Sequence, residues 1–246
     1  MDDNTKNNLN NENESGQTNE SNPNSESDQN NQAEELKQGA KETFNQTKEA
    51  IKNMDVKAEA KATQNFLLNF VKNPIDVLTN EVNTGSTSLN LAIVLNAIWI
   101  IAAGIMQFRT FWNVRNNQWS NVGFLSVIQA ALAPLIGVLV MSVILLVLNK
   151  GTKKSLTDII KIVTITRIPR IIASVITILN ILSNQAWRIT APISSFANAI
   201  SLILLFFAIK ALYNEESNSR MFKNFIIVYG LYVLARFVFS FFNFSI

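Results

Sequence analysis

The sequence predicts an all-α membrane protein: a five-span transmembrane helical bundle preceded by a disordered amino-terminal tail and a juxtamembrane amphipathic helix. Three observations carry that expectation. Charge is segregated, since residues 1–87 hold eight Lys and fifteen Asp or Glu (net −7), whereas residues 88–246 hold thirteen Lys or Arg and three acids (net +10). Apolar runs of about 20 residues, the length that crosses a hydrocarbon core, recur only in the second part. The chain also contains no His and no Cys. That closes disulfides, thiolate nucleophiles, imidazole bases and the usual zinc, haem and iron–sulfur ligand sets. The modest mean hydropathy of +0.16 averages two unlike parts.

Residues 1–32 contain eleven Asn, and their only large apolar residues are Met1 and Leu9. So little apolar surface cannot offset an ordering cost of about 1–2 kcal/mol per residue, and a solvated disordered tail is expected. The start has no basic segment followed by an apolar run and a small-residue cleavage site, so the tail is expected to stay in the finished protein.

Residues 33–87 form the next region, an amphipathic juxtamembrane helix and linker. From Ala33 to Val71, Ala40, Phe44, Ile51, Met54, Ala58, Ala62, Phe66 and Phe70 recur at helical spacing. Lys41, Lys48, Lys52, Lys57 and Lys61 surround the stripe. It fits an anionic membrane surface, a partner helix, or a marginal solvated helix. Asn73-Pro74 is expected to end it, because the residue before a proline is pushed out of the helical region.

Residues 88–246 carry five apolar stretches. The first, Ser88 to Phe108, is free of charge. The second, Phe124 to Leu148, lies in the charge-free interval between Arg115 and Lys150. The third is Ile171 to Trp187, although its apolar pattern begins at Ile159 and passes Lys161, Arg167, Pro169 and Arg170. The fourth is Ile189 to Ile209, and the fifth, Asn224 to Phe244, contains Arg236. With the amino terminus inside, the inner segments include the Lys150–Arg170 connection with six basic residues and Lys210–Lys223 with three. The outer side keeps Arg109, Arg115 and Arg188. The positive-inside bias therefore predicts an inner amino terminus and an outer carboxyl terminus. Trp112, Trp119 and Trp187 fall near the outer interface, where amphipathic rings gather, and Trp99 lies within the first stretch.

The Asn73-Pro74 end of a short helix, five closely spaced spans, and the run SLTDIIKIVTITRIP from Ser155 to Pro169 together resemble the Yip domain family of multi-span membrane proteins. The resemblance covers roughly residues 70–246 and rests on layout. Eukaryotic members are associated with Ypt/Rab GTPases and vesicle traffic. This chain lacks the Asp-Leu-Tyr-Gly-Pro-like segment of that branch, and Thr166-Arg167 stands where a Gly-Tyr pair is usual. The Asn-, Ile- and Lys-rich usage points to a bacterial-type member, for which the resemblance implies a plasma-membrane location.

Two groups of residues stand out as candidate sites. Ser155-x-x-Asp158 fits a capping box, and Lys150, Lys153, Lys154 and Lys161 near it form a candidate collar for anionic lipid headgroups. Arg236, set well inside a span, lies at a depth comparable with Gln129, Asn180 and Asn198. These four are a candidate polar layer in which amide oxygens, or carbonyls freed by Pro134 and Pro192, accept from the guanidinium. No catalytic residue, metal ligand or cofactor motif emerges, and basic residues are not interleaved with aromatics as nucleic-acid binding requires. The expected role is a non-enzymatic membrane-organising or interaction scaffold, whose partners are the lipid bilayer and a protein met by the amino-terminal region. The alternative is a small-molecule transporter or accessory permease subunit, against which stands the absence of Asp and Glu from every span.

Overall fold

A computed structural model describes residues 24–116, 124–148, 154–181, 186–214 and 217–240; within these, the side chains of 24–33, 35, 36, 110–116, 179–181, 186–188 and 218 are not described. The described residues are helical apart from short connections. The helices are α1 (Asn24–Lys52), α2 (Val56–Lys72), α3 (Pro74–Thr84), α4 (Leu89–Asn116), α5 (Phe124–Leu148), α6 (Leu156–Thr166), α7 (Ile168–Ile181), α8 (Ala186–Tyr213) and α9 (Asn218–Ser240). The chain divides into two compact units, Met1–Gln38 and Gly39–Ile246, with the boundary inside α1.

One amino-terminal expectation is corrected, and the other falls mostly outside the described residues. Of the tail expected over 1–32, residues 1–23 lie outside the described ones, and α1 already starts at Asn24. A run such as Gln-Ala-Glu-Glu-Leu-Lys has enough helix propensity to extend a helix backwards without any core contact. The single amphipathic helix expected over 33–71 is two helices, because Asp55 leaves the helical region and caps α2, accepting from the backbone N–H groups of Lys57 and Ala58. The apolar stripe divides accordingly. Phe66 and Phe70 stack on each other and meet the core, whereas Phe44 and Ile51 on α1 are exposed.

Asn73-Pro74 ends α2 as expected, but the chain then forms a further helix rather than a linker. Pro74 occupies its first turn, where the missing N–H costs nothing, and Gly85 at φ 62° closes it. Leu78, Glu81 and Val82 of α3 are buried.

Four helices are long and apolar enough to cross a membrane: Leu89–Arg109, Phe124–Leu148, Ile189–Tyr213 and Ser219–Ser240. The third expected stretch is different. It is split into α6 and α7 at Arg167, where Pro169 can donate no N–H back to the Ile165 carbonyl. Its apolar part, Ile168–Ile178, is shorter than the other four. Consequently most of the Lys150–Arg170 connection that is described is helical: Lys161 and Arg167 are buried residues of a packed helix and its end.

Contacts run from α4 to α5, α5 to α9, α9 to α8, α8 to α7 and α7 back to α4, so five helices close a ring. α6 touches α3, α4, α5, α7 and α8. That explains its composition: Leu156, Ile159, Ile162, Val163 and Ile165 are all buried, and its first turn keeps some exposure at Thr157 and Asp158. They pack with Leu95, Val138, Met141, Leu145, Leu204 and Ile209. Gly104 brings α4 close to α5, where an added Cβ would lie 3.4 Å from that of Ala131. Outside the ring, Ile101, Leu132, Leu139, Phe196, Ile203, Leu231, Leu234 and Phe237 are exposed. An apolar exterior of this extent suits lipid rather than water. Because lipid is as apolar as the core, close packing and interhelical hydrogen bonds hold such a bundle together. Asn96 of α4 supplies one such bond, donating to the Thr164 hydroxyl of α6 at 2.9 Å with both residues buried.

Candidate functional site

Two polar assemblies interrupt this apolar bundle. The first fastens α3 to the start of α6. Ser155 and Asp158 form a full capping box: the Asp158 N–H donates to the Ser155 hydroxyl at 3.1 Å, and the Ser155 N–H donates to the Asp158 carboxylate at 3.3 Å. One turn on, the Lys161 ammonium lies 3.1 Å from Asp158 Oδ1 and 3.4 Å from Glu81 Oε1, and donates to the Gly85 and Thr87 carbonyls at 3.2 Å each. Glu81 Oε2 accepts from the Thr87 N–H at 2.6 Å. Glu81 is 1% exposed and Lys161 7%.

This geometry removes Lys161 from the candidate headgroup collar. Its charge is taken up inside the protein by two carboxylates and two carbonyls, so it has no donor to offer a lipid. Lys154 is half-buried just before the capping box, and Lys150 and Lys153 lie outside the described residues. Glu81 was legible only as the last charge before the apolar region. Its role depends on α3 folding back, which spacing does not reveal.

The second assembly lies where α6 ends. Arg167, 5% exposed, closes α6, and its guanidinium sits over the Tyr232 ring of α9 at 5.2 Å from the centroid. Arg170 follows on α7, and its Nε donates to the Asn198 amide oxygen of α8. A cavity of about 220 Å³ opens above Arg167, walled by Trp99 and Ala103 of α4, Ala130, Ala133, Pro134 and Gly137 of α5, Arg170, and Tyr232 and Arg236 of α9. A second space of about 200 Å³ shares Trp99 and Arg170 and adds Ser174, Ser194 and Asn198. Arg170 is therefore the wall between an arginine-lined chamber and a hydroxyl- and amide-lined one.

The expected polar layer is reorganised by these contacts. Arg236 does point to a polar space, but the residues it shares it with are Arg167 and Arg170. Asn198 accepts from Arg170, and the α5 wall comes from small residues and Pro134 rather than from half-buried Gln129. The Asn180 side chain lies outside the described ones. Arg167 and Arg170 went unrecognised as site residues because they count as loop charge while the third stretch is taken to begin at Ile171. The signal available was Pro169, which marks a helix junction with an arginine on either side.

Pro134 carries no N–H, so the Ala130 carbonyl on the cavity wall loses its helical donor. That is one acceptor beside three cations. No carboxylate lines either space, and after residue 88 the sequence has only Asp158, committed to Lys161, and Glu215 and Glu216, which lie outside the described residues. Among the described residues no group of three or more Asp or Glu could hold a metal ion. A larger cleft of about 550 Å³ runs between α2, α3 and the start of α4, lined by Asn69, Asn73, Asp76, Asn80 and Ser86 with Phe66 and Leu91. It gathers neutral amides and one acid, without a convergent charge.

Comparison with protein-family models, with curated proteins and with solved structures finds no match. The reading of function rests on the geometry above.

Proposed function

We propose that this is a non-enzymatic membrane-organising or interaction scaffold that crosses a bacterial plasma membrane five times. In this reading α4, α5, α7, α8 and α9 cross, α6 forms the inner half of the third crossing, the amino terminus is cytoplasmic and the carboxyl terminus is outside. The observation that carries it is the buried Glu81–Lys161–Asp158 cluster. It fastens α3, and through it α2, to α6, on the side to which the sequence assigns the basic residues Lys150, Lys153, Lys154, Lys210, Arg220 and Lys223. A second tie supports it, since the Asn90 amide of α4 donates to Glu59 of α2 at 2.7 Å. With Lys161, Arg167 and Arg170 removed from the loop count, these basic residues still outnumber Arg109, Arg115 and Arg188 at the other end, which supports the orientation. The layout shared with Yip-type proteins supports the same threading. The collar of Lys150, Lys153 and Lys154 meets anionic lipid, and the exposed Phe44 and Ile51 of α1 offer the contact for a protein partner.

Affinity capture from cross-linked membranes tests the reading. The full chain is expected to retain a partner that a Phe44→Ser, Ile51→Ser variant loses, and proteoliposomes holding it are expected to show no solute flux. A carrier or accessory permease subunit is the second reading, favoured by the cavity beside Pro134. Flux together with an unchanged set of captured proteins would support it over the scaffold.

A further inference from the structure

The geometry points to the chamber above the end of α6 as a binding site for a tetrahedral oxyanion, a phosphate presented either by a phospholipid headgroup or as the free ion. This goes beyond the scaffold role and does not depend on it. Arg167 at the end of α6, Arg170 of α7 and Arg236 of α9 line one space, and Arg170 lies within electrostatic reach of the other two. Like charges brought together in an apolar bundle repel and are costly to desolvate unless an opposite charge joins them. Among the described residues no Asp or Glu lines the chamber, and Asp158 is committed to Lys161. What the protein supplies instead are neutral contacts that leave donors over. Tyr232 offers a ring face to Arg167, and Asn198 takes one of the five N–H groups of Arg170.

Guanidinium groups are the side chains best suited to phosphate, because their planar fork donates two parallel N–H groups to two oxygens. Size narrows the class further. At about 220 Å³ the chamber falls below the roughly 300–1,000 Å³ of sites that enclose drug-sized ligands, so it takes a small anion or the phosphate portion of a larger molecule. Arg236 is exposed while Arg167 is buried, so the site has an open edge and a closed floor. An anion, or a headgroup whose acyl chains stay outside, enters past Arg236 and meets Arg170 and then Arg167.

The test is a thermal-unfolding titration of the full chain in neutral detergent, in two arms: inorganic phosphate, and phosphatidylglycerol in mixed micelles with phosphatidylcholine micelles as reference. The wild type is expected to gain a saturable rise in midpoint in at least one arm. A response to phosphate assigns the free ion, and a response to phosphatidylglycerol alone assigns the headgroup. Arg236→Gln, at the exposed edge and least able to disturb folding, should move the half-saturating concentration upward about tenfold, and Arg170→Gln should do the same or abolish the rise. Arg109→Gln, on α4 away from the chamber, should titrate as the wild type does. No rise in either arm, or a rise unchanged in both Arg236→Gln and Arg170→Gln, overturns the assignment.

Discussion

Replacing Lys161 by Met separates a structural lysine from a lipid-binding one. The substitution keeps the length of the side chain and removes its charge. Lost with it are the contacts to Glu81 and Asp158 and the donations to the Gly85 and Thr87 carbonyls. Asp158 keeps the Ser155 hydroxyl and backbone N–H, and at 33% side-chain exposure it keeps water too. Glu81 has no such reserve. At 1% exposure its Oε2 retains the Thr87 N–H, but its Oε1 is left with no cation and no hydrogen bond. Removing one partner of a buried ion pair costs about 3–5 kcal/mol. For a domain of this size each kcal/mol moves the midpoint by about 2–4 °C, so a fall of roughly 6–20 °C is expected for Lys161→Met in detergent. Glu81→Gln combined with Lys161→Met removes the orphaned charge while a side-chain oxygen still accepts from Thr87, and should recover a large part of the loss. A fall of less than about 2 °C in the single variant, or a double variant no more stable than the single one, would refute the reasoning. A loss of affinity for anionic vesicles without loss of stability would return Lys161 to the headgroup collar.

Three further outcomes follow from the same contacts. Ser155→Ala removes the hydroxyl that accepts from the Asp158 N–H and should destabilise the folded chain by about 1 kcal/mol, read in the same thermal assay. Thr164→Val deprives the buried Asn96 amide of its partner across α4 and α6. It should cost about 1–3 kcal/mol, whereas Thr164→Ser, which keeps the hydroxyl, should cost less, and equal effects would remove the hydrogen bond from the account. Asp158→Asn removes the carboxylate that accepts from the Ser155 N–H and pairs with Lys161, and should cost about 1–3 kcal/mol in the same assay, with an unchanged midpoint removing the pair from the account.

What could be read in advance was whatever one stretch of chain decides by itself. The spans at α4, α5 and α8 announce themselves by length without charge, α9 by length despite Arg236, and the capping box by Ser155 and Asp158 three residues apart. The break at Asn53–Asp55 was visible in principle as an Asp before a fresh helical run, but the continuous apolar stripe on either side concealed it. α3 was not legible as a separate helix, since Pro74 reads as a stop signal although it is equally at home in a first turn. The hardest part was α6. Its Lys161 and the flanking Arg167 read as loop charge, yet one pairs with an acid 80 residues earlier in the chain and the other sits over an aromatic ring 65 residues later. Long-range pairing of this kind leaves no trace in spacing. For the same reason Arg236 could be singled out from one segment, while the two arginines that share its chamber could not.

The claim on which the threading rests is that α6 and α7 together make a crossing, which gives an odd number of spans and places the two ends of the chain on opposite sides. The chain has no cysteine, so single replacements at Ser27, Lys154 and Ser245 report each position without background. Labelling of intact cells with a membrane-impermeant maleimide should reach the Ser245→Cys variant, whereas the Ser27→Cys and Lys154→Cys variants should react only after permeabilisation. A Ser245→Cys variant that is protected in intact cells and labelled only after permeabilisation, alongside the other two, would mean four crossings with α6 and α7 turning back, and would contradict the account.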